Sequence, residues 1–171
     1  MKLLLLLLIG VHFLGNAQTI KKQDMITVMN DEAAIRELEN NLAAAITAMD
    51  VDAIMKNYVP DNSFVIFDVV PRSAYRGADT YRSYWTEMFT HFKGQLKFSI
   101  ADLSITVDGN VGFGSSFQNV KGTDKEGQPV DRTVMVTNGY RKIGGKWLIA
   151  LEHISVPVDF RTGKLVPLKK P

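Results

Sequence analysis

Apolar residues recur at three- and four-residue steps through Ile35, Leu38, Leu42, Ile46 and Met49, which predicts an amphipathic helix over residues 31–48. Asp50 is placed to cap a second, shorter helix with Ile54, Met55 and Tyr58 on its inner side, and Pro60-Asp61-Asn62 breaks it. Residues 63–70 read as a short β-rich run and residues 71–77 as a loop. A third helix follows, with Tyr81, Trp85, Met88 and Phe92 as its heavy stripe. From residue 96 the period becomes that of a strand. Leu96, Phe98 and Ile100 alternate, then Leu103, Ile105 and Val107, and the odd step between the two sets predicts a β-bulge near Ala101-Asp102.

Asp108-Gly109-Asn110 is a hairpin turn, residues 111–121 the next strand, and residues 122–129 a polar loop. Residues 130–142 form another strand, Gly144-Gly145 turns the chain, and Pro157 stops the last strand. Helices first and a long antiparallel meander afterwards make an α+β fold. Such a sheet must bend around its helices, and a bulge is the device that bends it. The bend leaves a cavity between the helices and the concave face.

The last strand carries candidate chemistry, because Glu152 and His153 stand side by side in an otherwise apolar run. Burying either without a partner costs several kcal/mol, so the strand is expected to border a polar spot inside the molecule. Neighbouring strand residues point to opposite faces, so the two cannot both line one pocket. One face carries Trp147, Ile149, Leu151, His153 and Ser155, the other Leu148, Ala150, Glu152, Ile154 and Val156. Alternation leaves the choice between them open. Asp68 sits among Phe64, Val65, Ile66, Phe67, Val69 and Val70, an apolar setting that suits a general base. The competing reading is a strand-end Asp bonded to the loop that Pro71 begins. Tyr58 and Trp85 could bracket a flat ligand or simply pack in the core, and Phe113 and Phe117 share a face that is either cavity wall or dimer contact.

Composition narrows the partners. Residues 1–17 have a basic start at Lys2, an apolar run and a Gly15-Asn16-Ala17 cleavage pattern, so they read as a signal peptide whose removal leaves a periplasmic or secreted chain. Residues 18–29 are then a loosely ordered lead-in, residues 30–159 the domain and residues 160–171 a solvated basic tail. A formal net charge of +2 argues against nucleic acid or an anionic membrane as partner. The chain has no cysteine, which excludes disulfides and thiolate chemistry. His91 and His153 are isolated and no pair of ligand residues has metal spacing, so no metal and no cofactor is expected.

Two segments carry a family resemblance. One is Tyr58-Val59-Pro60-Asp61 through Phe67-Asp68-Val69-Val70-Pro71, with Tyr75-Arg76-Gly77-Ala78-Asp79 and Trp85. The other is Tyr140-Arg141-Lys142-Ile143-Gly144-Gly145-Lys146-Trp147 running into Glu152-His153-Ile154-Ser155-Val156-Pro157. Together they are similar to the SnoaL-like branch of the nuclear transport factor 2-like superfamily, which has the cystatin-like fold. The resemblance implies a curved antiparallel sheet wrapped around three helices into a cone with a deep apolar pocket, and a homodimer formed through the outer sheet face. It implies that Ala150, Glu152 and Ile154 face the pocket, with His153 outward. In the opposite register His153 becomes the acid/base candidate. Tyr58, Phe67, Trp85, Phe117, Thr137 and Ile154 are the expected ligand-binding positions.

The superfamily includes ketosteroid isomerases, polyketide cyclases, dehydratases and binding proteins, so the fold settles little about function. By position Asp68 stands where the isomerase base stands. The isomerase's oxyanion tyrosine would fall at Leu42, and its protonated aspartate near Thr137, where no carboxylate lies. Met135 occupies a position that is an inward arginine in related members, which argues against a carboxylate- or phosphate-binding pocket. The expectation is an exported domain that binds a small, largely apolar molecule in its cone. The alternative is a cofactor-independent isomerase, cyclase or dehydratase using Asp68 with Glu152 or His153.

Overall fold

The computed structural model describes residues 7–70 and 73–168, with the backbone alone for residues 7–20 and 23. Between Gly15 and Pro60 the sequence has no glycine or proline, and nothing interrupts the first helix. Helix α1 therefore runs from Leu7–Thr47. Residues 18–29, expected as a loose lead-in, are helical, and the described side chains of residues 21–30 are all exposed. Of the segment expected as a signal peptide, residues 1–6 and the side chains of residues 7–17 lie outside the described residues. No described helix is long and apolar enough to cross a membrane.

From Asp31 onward α1 buries the predicted stripe of Ile35, Leu38, Leu42 and Ile46. It stops where Met49 turns left-handed at φ 56°. The Met49 N–H donates to Ile46 O at 3.0 Å and the Asp50 N–H to Ala45 O at 3.0 Å, a Schellman stop that satisfies two terminal carbonyls. Asp50 then caps α2 (Val51–Met55) by accepting from the Ala53 N–H at 2.9 Å, as the sequence predicts. The chain continues through β1 (Val65–Phe67), β2 (Ala74–Arg76), α3 (Ala78–Phe89), β3 (Phe92–Asp108), β4 (Val111–Asp124), β5 (Pro129–Ile143) and β6 (Lys146–Ser155).

These six strands form one sheet in the order β2-β1-β6-β5-β4-β3. The α+β class holds, with two refinements. Residues expected as a loop supply β2, and β1 pairs parallel with β6, so the sheet is mixed rather than wholly antiparallel. The predicted bulge is present: the β3–β4 register slips between Ala101 and Ser104, with Asp102 at φ 52°. A second slip lies between Lys93 and Lys97, and a third between Gly139 and Tyr140 on β5. Each adds local twist, and the sheet curls around α1 and α3. At one end Asp31 accepts from Lys142 Nζ at 2.6 Å and from Trp147 Nε1 at 2.9 Å, tying α1 to β5 and β6. The Lys142 bond, followed by that from Trp147, lowers the Asp31 pKa.

The C-terminal residues do not simply trail into solvent. A hairpin of β7 (Val158–Asp159) and β8 (Lys164–Leu165) turns the chain back, and residues 165–168 reach the open end of the cone.

Candidate functional site

A cavity of about 830 Å³ lies inside the curl. Its volume is in the range of pockets that enclose small molecules. Helix α1 contributes Leu42 and Ile46, and α3 contributes Tyr81, Tyr84, Trp85 and Met88. The concave sheet face adds Gln118, Val120, Glu152 and Ile154, and the returning C-terminal segment closes part of the mouth. The wall is mostly apolar, with a few polar groups.

Glu152 is the most distinctive of these. It sits on β6 opposite Asn138 of β5 and beside Ile66 of β1, and is 3 % exposed. The Tyr58 hydroxyl donates to its Oε2 at 2.9 Å and the Tyr81 hydroxyl to its Oε1 at 2.7 Å. Burial pushes the Glu152 pKa up to about 7, against the pull of the two tyrosine bonds, and the charges of Glu39 and Asp68 add to the rise. Burial and the Glu152 charge drive both tyrosine pKa values well above the usual range, so their hydroxyls keep their protons as donors.

A second buried carboxyl lies behind the first. Glu39 of α1 accepts from Asn138 Nδ2 at 2.8 Å and from the Tyr140 hydroxyl at 2.6 Å, and burial raises its pKa. Glu39 Oε2 and Asn138 Oδ1 have no hydrogen-bond partner. Because Asn138 is the register partner of Glu152, the two carboxyl clusters are neighbours on the inner face.

Asp68 follows β1 directly, bonded to the loop and lining the cavity. Its backbone N–H donates to Ser73 O at 2.8 Å and its Oδ1 accepts from the Val69 N–H at 2.6 Å, so it orders the loop. It also lines the cavity, is 9 % exposed, and its Oδ2 has no hydrogen-bond partner. Burial, and then the Asp68 charge, raise the pKa of the neighbouring Tyr84. Trp85 Nε1 and Gln118 Nε2, on two further lining residues, are likewise buried without partners.

The structure brings together Tyr58, Asp68, Trp85, Glu152 and Ile154 on one cavity. It places the other four candidates outside it. His153 is exposed on the outer face, where its ring meets Phe67 at 5.7 Å. Phe67 is itself 45 % exposed, because Ile66 takes the inward position beside it. Thr137 pairs with His153 across the strands and is exposed with it, and Asn138 is the inward residue. Phe117 shares the outer face with exposed Phe113, and Gln118 and Ser116 turn inward. Each displacement is a one-residue step, which reverses the face of a strand residue.

Sequence reasoning missed Glu39, Tyr84, Gln118, Asn138 and Tyr140, and read Tyr81 as core alone. Glu39 had a signal: it interrupts the apolar stripe between Leu38 and Leu42, where a charge has to be buried. Among the described residues no group of three His, Cys, Asp or Glu side chains could hold a metal.

The family model of the SnoaL-like domain matches residues 35–159. Among solved structures, the chain is similar to a nuclear transport factor 2-like protein of unknown function from Pseudomonas putida. That match has 27 % identity and a TM-score of 0.73, and covers 84 % of this chain and 98 % of the other. A nuclear transport factor 2-like superfamily protein from Salmonella enterica has 18 % identity and a TM-score of 0.66, covering 74 % and 90 %. A protein of unknown function with a cystatin-like fold from Nostoc punctiforme has 19 % identity and a TM-score of 0.60, covering 72 % and 89 %. These two share the fold. No curated protein matches the chain in sequence.

Proposed function

We propose that this chain, which belongs to the SnoaL-like domain family, binds a small, largely apolar molecule inside its cone. One observation carries this reading: a cavity of about 830 Å³ with an apolar wall holds a buried carboxyl group gripped by two tyrosines. Evolved cores close up, since interiors pack as densely as organic crystals, and a hollow of this size is kept open for a guest. The few polar groups in the wall would fix the guest's orientation. Isothermal titration with naphthalene-sized probes tests it. Saturable one-to-one binding, abolished by Ile154→Trp or Leu42→Trp, is expected. Equal binding by these filled variants would place the probes on the surface and sink the reading.

A second reading is cofactor-independent acid/base chemistry next to a carbonyl, of isomerase, cyclase or dehydratase type. It draws support from the Glu152 pKa of about 7, which suits a group that gives and takes protons near neutral pH. Glu152 is the residue for this work, with Asp68 as the second carboxylate, and His153 has no access to the cavity. The test is α-proton exchange of 2-tetralone in heavy water followed by proton NMR. Catalysed exchange that disappears in Glu152→Gln is expected, and a rate no faster than buffer would count against it.

The finer expectations on assembly and location are proposals of the same kind. Phe67, Phe113 and Leu151 leave an apolar outer face, which suits a homodimer. Phe113→Glu should convert a dimer to a monomer in analytical ultracentrifugation. Export through a cleaved leader would yield a protein whose N-terminal sequence begins near Gln18.

A further inference from the structure

We propose that the guest is an organic cation: a protonated amine on an aromatic or alicyclic body, with its ammonium group set against Asp68 and Glu152 beside the rings of Tyr58, Tyr81, Tyr84 and Trp85. This rests on the binding reading above and adds the charge and class of the ligand.

Among the described residues, the carboxylates of the cavity have no buried counter-charge. Buried carboxylates are ordinarily paired with cations or fully hydrogen-bonded. Here Asp68 and Glu152 both line the cavity, and Arg132 is the only basic residue among the described ones that do. Arg132 is exposed, and its Nη1 donates to the backbone oxygen of neighbouring Asp131. The groups that act on Glu152 are neutral donors or acids: Tyr58 after α2, Tyr81 and Tyr84 on α3, Asp68 after β1, Glu39 on α1 and Tyr140 on β5. Among the described residues, no lysine, arginine or histidine stands with them. Asp68 Oδ2 is buried without a hydrogen-bond partner, and the Asp68 charge acts on the neutral Tyr84 hydroxyl.

The wall next to these acids is built of electron-rich rings. Tyr81 and Tyr84 stack at 5.5 Å with planes 7° apart, and Trp85 lies 5.7 Å and 5.9 Å from them. Tyr58 stands edge-on to Tyr81 at 5.1 Å. Aromatic rings with carboxylates, and among the described residues no internal base, make a setting that attracts ammonium groups and repels anions. The length of apolar wall beyond them takes the body of the amine. A neutral ketone is the competing guest, and it would use the protonated form of Glu152 as its donor.

The experiment is calorimetric titration of the full chain with four probes sharing one body: 2-(2-naphthyl)ethylamine, 2-(2-naphthyl)ethanol, 2-naphthylacetate and 2-acetylnaphthalene. The amine should bind about tenfold more tightly than the alcohol, and the carboxylate most weakly. Between about pH 6 and about pH 8 the amine stays protonated while Glu152 ionises, so amine affinity should rise with pH and ketone affinity should fall. Asp68→Asn should remove most of the amine's advantage over the alcohol. If the alcohol or ketone binds as tightly as the amine, or if amine affinity falls as pH rises, the charge assignment is wrong and the binding reading stands. If none of the four binds, both are overturned.

Discussion

Tyr81 and Glu152 lie 71 residues apart in sequence, and the Tyr81 hydroxyl donates to Glu152 Oε1 at 2.7 Å inside the cone. The bond joins the third helix to the last long strand, and it is half of the clasp that holds a carboxyl group away from water. Its consequences for stability can be measured.

The first concerns pH. The folded-state pKa of Glu152 is about 7, above its ordinary value of 4.5. A carboxyl with a raised folded pKa contributes stability that is fully present below the unfolded value and is lost as pH rises through the folded one. The loss between about pH 4.5 and about pH 7 amounts to about 3 kcal/mol. Glu39, raised by burial, acts in the same direction. The melting temperature should therefore be lower at about pH 8 than at about pH 5, and Glu152→Gln should flatten that difference. An unchanged slope in the variant would contradict the assignment.

Removing one donor should show the same coupling from the other side. Tyr81→Phe leaves a buried carboxylate oxygen unpaired, at a cost of about 2 kcal/mol where Glu152 is ionised. The loss should shrink under acid conditions, where the carboxyl is protonated and needs less help. Urea unfolding at the two pH values measures both.

Asp68→Asn should be nearly neutral for stability. The amide oxygen can still accept from the Val69 N–H, and the orphaned Oδ2 is replaced by a neutral donor. A change within about 0.5 kcal/mol is expected, which separates a residue kept for binding from one kept for the loop. A clear drop in melting temperature would make the loop its main task.

Gly114→Ala tests the close packing under the second carboxyl. An added Cβ would come within 2.8 Å of the Tyr140 hydroxyl and 3.0 Å of the Ser104 backbone oxygen, and the backbone cannot yield cheaply. Displacing the Tyr140 ring also disturbs its bond to Glu39. The expected cost is about 1–3 kcal/mol. Gly139→Ala is the control, since its Cβ would meet only Leu151 Cβ at 3.4 Å, and it should shift stability by less than about 0.5 kcal/mol.

Much of this architecture was legible in the sequence because it is local. The stripe from Ile35 to Ile46, the Asp50 cap, the Asp108-Gly109-Asn110 turn and the bulge at Asp102 are each written in a few adjacent residues. The parallel pairing of β1 with β6 was not legible, since it depends on segments far apart meeting in space. Strand faces lay in between. Glu152 came out inward by family resemblance, whereas Thr137, Phe117 and Phe67 each fell one step from the residue that lines the cone. Their strands are apolar enough on both sides that alternation alone does not choose, and the register slip at Gly139 is invisible until β5 and β6 pair. The carboxyl clasp stayed hidden for the same reason: Tyr58 donates across 94 residues.

That parallel pairing also sets an order on synthesis. Ile66 finds its neighbour only when Glu152 has been translated, and the whole meander is threaded between them. Contacts so distant along the chain form late, after the loop between them has been closed. A nascent polypeptide that ends before β6 would hold two tyrosines without their acceptor and a bare edge on β1. Hollow and clasp are thus completed only when β6 joins β1, since both need Glu152 in place.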